Sequence, residues 1–258
     1  ALLDFYRLRA ISGLEEVSAD RYVRHFPGDS GMARLEVQAG SGDWLQVTLQ
    51  GVAPRQLPAL LYRLRRMWDL DADPLPIQAR LSACPRLAER VAATPGLRLP
   101  GGWDAYEVLL RAIIGQQISV KAADSIWARF VLLVPKVTPK HVLAQSIEHL
   151  RSVGLSARKA EYIHAVAEFF VQKRVGQAYW EQRTDNEIIE ELSSIRGIGR
   201  WTAEMFLMFT LLRPNVFPVD DIGLLRGLEK NYHGARVTPS VARAVYFERF
   251  SPWASVAT

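Results

Sequence analysis

The chain holds a single cysteine, Cys84. One thiol forms no intramolecular disulfide and builds no all-cysteine zinc or iron–sulfur site. Cys84 reads as a small apolar residue instead. Long hydrophobic runs are missing too. No stretch reaches the roughly 20 apolar residues that a membrane-spanning helix needs. The first residues lack the basic-then-apolar order of a secretory leader. A soluble, cytoplasmic protein with no membrane partner is therefore expected. No block of like charge and no low-complexity segment occurs. What is present is 258 residues of which 49% are hydrophobic, enough to bury the cores of one to three domains. A net charge of +5 is compatible with a polyanionic partner without identifying one.

The hydrophobic period changes along the chain. "ARLEVQA" alternates, with Leu35, Val37 and Ala39 on one face, and "LQVTLQ" does the same with Leu45, Val47 and Leu49. The "GSGD" between them, Gly40 to Asp43, is turn chemistry, so the two segments read as a β-hairpin. Leu57, Leu60, Leu61, Leu64 and Met67 then recur at helical spacing, which predicts a helix packed on that sheet. Residues 1–73 thus read as a mixed α+β domain with an antiparallel sheet. "DPLPIQARLSACP" crosses into residues 74–258, where helix follows helix and no strand pattern recurs. "WDAYEVLLRAII" is apolar and helical. It breaks at Gly115 to Gln117 and restarts after Ser119, an N-cap for "VKAADSIWARF". Thr138–Pro139 and Thr238–Pro239 each pair an N-cap with proline at the first helical position. "TDNE", Thr184 to Glu187, is a capping box. "VGLSARKAEYI" (Val153 to Ile163) weakly echoes "RGIGRWTAEMF".

That last segment carries Gly197 and Gly199 between two helical patterns, "NEIIEELSSI" and "RWTAEMFLMFTLL". A connection this short needs positive φ or close backbone approach, which glycine supplies. It also leaves bare N–H groups at the start of the second helix, where the helix dipole favours a phosphate. Taken alone, an isolated G-I-G is more often a helix C-cap followed by a packing glycine.

The surrounding motifs change that balance. "IRGIGRWTAEMF" is similar to the helix-hairpin-helix element of the DNA glycosylase superfamily, and "VFPVDDIGL" (Val216 to Leu224) to the loop and aspartate that follow it there. "RAIIGQQISVKAA" (Arg111 to Ala123) and "PGLRLPGGWDAYE" (Pro95 to Glu107) resemble the 3-methyladenine DNA glycosylase II branch, the AlkA-like enzymes. "FYRLRAI" and "SADRYVRHF" resemble that branch's N-terminal domain. The similarity covers essentially the whole chain, with the motifs in order. It implies a TATA-binding-protein-like α+β domain followed by an all-α glycosylase domain, with the helix-hairpin-helix around 184–212 and a catalytic loop at 213–224. It also implies a monomeric, monofunctional enzyme of base excision repair. Such an enzyme flips alkylated purines, N3-methyladenine among them, out of double-stranded DNA and hydrolyses the N-glycosidic bond.

The resemblance also distributes roles. Gly197 and Gly199 would grip phosphate, with Arg200 and Thr202 as candidate contacts, although a cap or a solvated charge suits either side chain. No cofactor is required and no metal site is built from side chains; in the family, hairpin backbone carbonyls can hold a monovalent cation, Na or K. Gln117 stands where a relative inserts an apolar wedge into the duplex, while Gln116 and Gln117 would serve equally well as partners for backbone groups at the helix break. Trp201 and Phe5 match pocket aromatics, whose π faces suit an electron-poor alkylated purine. Met205 replaces a tyrosine and makes a softer wall. Ordinary core packing is the alternative for Phe5 and Met205. The final "SPWASVAT" stops before the helix that supplies further pocket aromatics in the family; Ala254 stands in place of an arginine there, and Trp253 reads as packing. Gap-free spacing from Trp201 assigns catalysis to Asp221, with Asp220 as a supporting cap or loop residue. A carboxylate there would stabilise an oxocarbenium-like sugar. Two other readings compete. A bifunctional glycosylase/lyase carries a lysine where Trp201 stands. A non-enzymatic helix-hairpin-helix DNA-binding protein gains nothing from an aspartate facing phosphates.

Overall fold

The computed structural model describes residues 2–11, 13–29, 31–42, 44–234 and 236–258, the side chains of Gln177 and His233 excepted. The chain opens with α1 (Leu2–Arg7) and a four-stranded antiparallel sheet in sequential order. Its strands are β1 (Glu15–Val17), β2 (Arg21–Pro27), β3 (Met32–Ala39) and β4 (Leu45–Gln50). Register pairs Val37 with Tyr22 and Val47, and Leu35 with Arg24 and Leu49, so the alternating residues share one face across three strands. Arg24 is a charge inside that face, only 2% exposed. Its guanidinium reaches Glu15 and, at 2.6 Å, Glu107. Burial works against the charge, but Glu107, Tyr22 and Glu15 outweigh it and raise the pKa above its ordinary value.

Two expectations change in detail. Ala39 is exposed, because it closes β3 and pairs with Leu45, itself at the sheet's end. β2 shows no simple alternation: Tyr22, Val23 and Arg24 are buried in succession, so period alone does not find it. In the β3–β4 turn Gly42 takes φ +69°, as a hairpin turn demands; Asp43 lies outside the described residues. The helix after the sheet is α2 (Leu57–Met67). Leu60, Leu64 and Met67 are buried, whereas Leu61 is 49% exposed, so its buried stripe is narrower than the leucine spacing suggests.

The remaining elements are helical: α3 (Pro74–Ser82), α4 (Pro85–Ala93), α5 (Ala105–Gly115), α6 (Val120–Leu133), α7 (Pro139–Leu143) and α8 (Ile147–Ser152). They continue through α9 (Ala157–Gln172), α10 (Asp185–Ser193), α11 (Arg200–Phe209), α12 (Ile222–Leu228), α13 (Pro239–Val241), α14 (Phe247–Phe250) and α15 (Ala254–Ala257). No strand follows Gln50 among the described residues. The caps act where expected. Ser119 accepts from Ala122 N, Thr138 from His141 N and Thr238 from Val241 N, while Thr184 and Glu187 cap each other reciprocally. Each such cap contributes about 1 kcal/mol.

These elements form two compact units, neither continuous in sequence. One comprises residues 1–64, 106–176 and 195–197, and so includes the sheet, α5 to α9 and part of the α10–α11 turn. In it α7 and α8 pack on α9. The other comprises residues 65–105, 177–194 and 198–258. One of its cores gathers Phe217, Val219, Leu224, Leu228, Tyr246 and Phe250, with Ala254 fully buried among them.

Candidate functional site

The α10–α11 turn separates the roles of its two glycines. Gly197 has φ +96°, and a Cβ there would lie 2.2 Å from Cγ of Tyr162. Both backbone sterics and packing therefore require glycine. Gly199 has φ −95° and ψ 171°, extended backbone that any residue adopts. A Cβ on it would meet nothing within 4 Å. Gly199 is the N-cap of α11 and supplies no side-chain cap. The echo at Val153 to Ile163 sharpens the point. Gly154 has φ +103° and matches Gly197, but the next helix begins on Ser156, whose hydroxyl accepts from Lys159 N. One turn geometry recurs with its helix start closed by serine in α9 and left open in α11. An open helix start attracts anions.

On α11, Arg200 is exposed and Thr202 is buried, so of the two candidate phosphate contacts Arg200 has the freer side chain. Arg200 Nε donates to Glu204 Oε1 at 3.0 Å. Glu204 is 2% exposed, and its Oε2 has no hydrogen-bond partner among the described residues. Burial raises its pKa. The sequence reading passed over this residue; the available signal was a lone charge in the apolar run Ala203 to Met208.

The loop after α11 is anchored from below. Ser255 Oγ accepts from Val216 N at 2.9 Å and donates to Arg213 O at 2.6 Å. Val216, Phe217, Pro218 and Val219 are buried, which fixes the backbone that presents the next two residues. Asp220 is exposed. Asp221 N-caps α12, its Oδ1 accepting from Leu224 N at 2.8 Å. Its Oδ2 accepts from Trp201 Nε1, also at 2.8 Å. Trp201 remains 46% exposed, and Met205 lies one helical turn further along α11, half-buried. The structure thus brings Trp201 and Asp221 into direct contact. Capping a helix and presenting a carboxylate are not alternatives for Asp221, because a carboxylate has about four acceptor positions and these two bonds leave others available.

Phe5 and Gln117 belong to the other unit. Phe5 is half-buried on α1, edge-on to Tyr6 with centroids 5.6 Å apart and with the Arg9 guanidinium 3.8 Å over its ring. The break between α5 and α6 divides the work of its two glutamines. Gln116 Nε2 donates to Gly197 O at 2.9 Å, while Gln117 is exposed at φ +57°. Lys159 Nζ donates to Ile114 O and Gln116 O. Sequence reasoning missed Lys159, Tyr162 and Ser255, for which no local signal existed. Among the described residues, no group of three or more His, Cys, Asp or Glu is placed to hold a metal, and no helix is long and apolar enough to cross a membrane.

Comparison with known proteins covers nearly the whole chain. The family described as "AlkA N-terminal domain" matches residues 1–104, and that described as "HhH-GPD superfamily base excision DNA repair protein" matches residues 110–245. DNA-3-methyladenine glycosylase 1 of Schizosaccharomyces pombe is 38% identical over 128 residues, 48% of this chain and 56% of that protein. DNA-3-methyladenine glycosylase 2 of Escherichia coli is 28% identical over 268 residues, 99% of this chain and 90% of that protein. The solved 3-methyladenine DNA-glycosylase from Archaeoglobus fulgidus shares the fold with a TM-score of 0.80, covering 99% of this chain and 90% of that one at 25% identity. The chain spans about half the length of the S. pombe relative and of two Mycobacterium tuberculosis relatives.

Proposed function

We propose that this chain, which belongs to the HhH-GPD superfamily of base excision DNA repair proteins and opens with an AlkA N-terminal domain, is a monofunctional DNA glycosylase. Its substrates are alkylated purines, N3-methyladenine among them, in double-stranded DNA. The observation that carries this reading is the contact of Trp201 Nε1 with Asp221 Oδ2 at 2.8 Å, an exposed aromatic face beside a carboxylate on an anchored loop. The names of the relatives support the choice of lesion.

The chemistry follows from the parts. A base must leave the stack before its glycosidic bond is reached, which costs a few kcal/mol and least for a damaged pair. The open start of α11 at Gly199 holds a phosphate, with Arg200 beside it. Gln117 enters the space that the base vacates. The extruded purine stacks on Trp201, with Met205 as a further pocket wall. The C1′–N bond then breaks, its electron pair leaves with the base, and positive charge develops on the sugar. Asp221 stabilises that charge, in an orientation held by the N–H groups of Trp201 and Leu224. Water adds at C1′ and loses a proton, leaving an abasic site. A cationic N3-methylpurine is already a good leaving group, so little acid catalysis is needed. Asp220 supports the loop. The protein works as a monomer without a cofactor. A Na or K ion held by hairpin backbone carbonyls would bridge them to phosphate.

The lyase reading is disfavoured by one observation. Trp201 occupies the position from which a lysine would attack the sugar, and its indole forms no Schiff base. The test is direct. DNA treated with a methylating agent is incubated with the protein, and released bases are identified by mass spectrometry. Wild type should release N3-methyladenine and Asp220→Asn should remain active. Asp221→Asn should bind DNA without releasing base. No release by wild type, or full release by Asp221→Asn, rejects the proposal.

A further inference from the structure

Three contacts within one unit converge on the α5–α6 break, and a wedge role for Gln117 leaves them unexplained. Lys159 Nζ donates to Ile114 O at 2.7 Å and to Gln116 O at 2.8 Å. These carbonyls lie at the end of α5, where a helix leaves its last C=O groups without intrahelical partners and where a cation suits the dipole. Burial lowers the pKa of Lys159, and the two carbonyls compensate the ammonium for lost water. Gln116 Nε2 donates to Gly197 O at 2.9 Å. Tyr162, one turn along α9 from Lys159, closes against Gly197 so tightly that no Cβ fits. One helix therefore holds the break through Lys159 and the hairpin turn through Tyr162, and Gln116 joins the two directly. Within the break sits Gln117 at φ +57°, a conformation that a non-glycine residue keeps only where its surroundings determine it.

We propose that Lys159 is a positioning residue for base extrusion. Its ammonium, bound to the carbonyls of Ile114 and Gln116, fixes the left-handed backbone from which Gln117 enters the duplex. Gln116 and Tyr162 tie that loop to residues 195–197, so the wedge is held against that stretch of the hairpin turn. The proposal rests on the glycosylase reading above. It places the effect of Lys159 in the step that unstacks the base and not in the step that breaks the bond.

The test separates those steps. Two duplexes carry a single N7-methylguanine, opposite cytosine in one and opposite an abasic analogue in the other, where the lesion has no partner to leave. Base release is measured in single turnover, and affinity for an undamaged duplex is measured alongside. Lys159→Met, which keeps the stem and loses the donors, should slow release from the paired lesion at least about tenfold. Release from the unpaired lesion should change less than about twofold, and affinity for undamaged DNA should hold. Lys159→Arg should recover the paired rate. Gln116→Ala should show the same pattern and serves if Lys159→Met does not fold. Equal slowing on both duplexes would mean that the contacts serve only stability, and no slowing on either would mean that the clamp is idle; each result overturns the proposal. Wild type that releases nothing from these duplexes or from methylated genomic DNA overturns the glycosylase reading and this proposal with it.

Discussion

Substituting the two hairpin glycines should separate folding from DNA binding. Gly197→Ala places a methyl 2.2 Å from Cγ, 2.3 Å from Cδ2 and 2.7 Å from Cβ of Tyr162. Carbon atoms pack comfortably at about 3.5–4.0 Å. The overlap exceeds an ångström and falls on the root of a ring, so the turn or α9 must move. Overpacking of this kind costs about 1–3 kcal/mol. Holding φ at +96° with a Cβ adds about 1 kcal/mol. The expected loss is about 2–4 kcal/mol, read as a fall in the urea midpoint at constant slope. Adding Tyr162→Ala should return the overlap made by Cγ and Cδ2 and leave the 2.7 Å contact with Cβ and the strain, so the double mutant should be destabilised by less than the sum of the two single changes. Gly199→Ala meets open space at extended φ. Losing a good N-cap residue costs about 0.5–1 kcal/mol, and a stiffer unfolded chain gives back a similar amount. Stability should therefore stay within about 0.5 kcal/mol of wild type. Binding should not. The methyl stands at the uncapped N–H groups, so duplex affinity should drop about tenfold, or ~1.4 kcal/mol, and the salt slope should flatten by about one phosphate contact. Anisotropy titrations across a salt series measure both. If Gly199→Ala destabilises as much as Gly197→Ala, or binds with unchanged affinity and slope, this assignment of the two glycines is wrong.

Other substitutions probe the carboxylates and the chemistry. Asp221→Asn keeps an oxygen for Leu224 N but can turn only an amide donor toward Trp201 Nε1, so it should lose about 0.5–1.5 kcal/mol. Asp221→Ala loses the α12 cap as well, about 1 kcal/mol more; equal stability of the two variants in calorimetry would contradict the double role. Borohydride reduction during turnover should trap no protein–DNA adduct, and efficient trapping mapped to any lysine would move the protein among the lyases. Burial raises the pKa of Glu204, so the folded state favours its acid form. Its stabilising share is complete below the ordinary glutamate value of about 4.3 and is lost as pH rises through the raised one. The melting temperature of Glu204→Gln should accordingly gain on wild type as pH rises above about 4, and a pH-independent difference would refute this.

What the sequence by itself determined is the part governed by near neighbours. Ser119, Thr138, Thr184 and Thr238 announce their helices because a side-chain oxygen reaches an N–H two or three residues on, whatever the rest of the chain does. The β3–β4 hairpin is legible because alternation with period two is a property of the strand itself. The order of the motifs was enough to single out Trp201 and Asp221. Only the tertiary structure showed that these two are hydrogen-bonded, that Gln116 reaches Gly197 across 81 residues, and that Ser255 pins Val216. It also distinguished two glycines that look alike in "GIG": Gly197 meets a ring from α9, whereas Gly199 faces open space. The physical reason is distance along the chain. A cap or an alternation is decided by bond geometry within a few residues, whereas the neighbour that fills or leaves empty the space beside a backbone atom is supplied by a remote segment, and only packing brings it there.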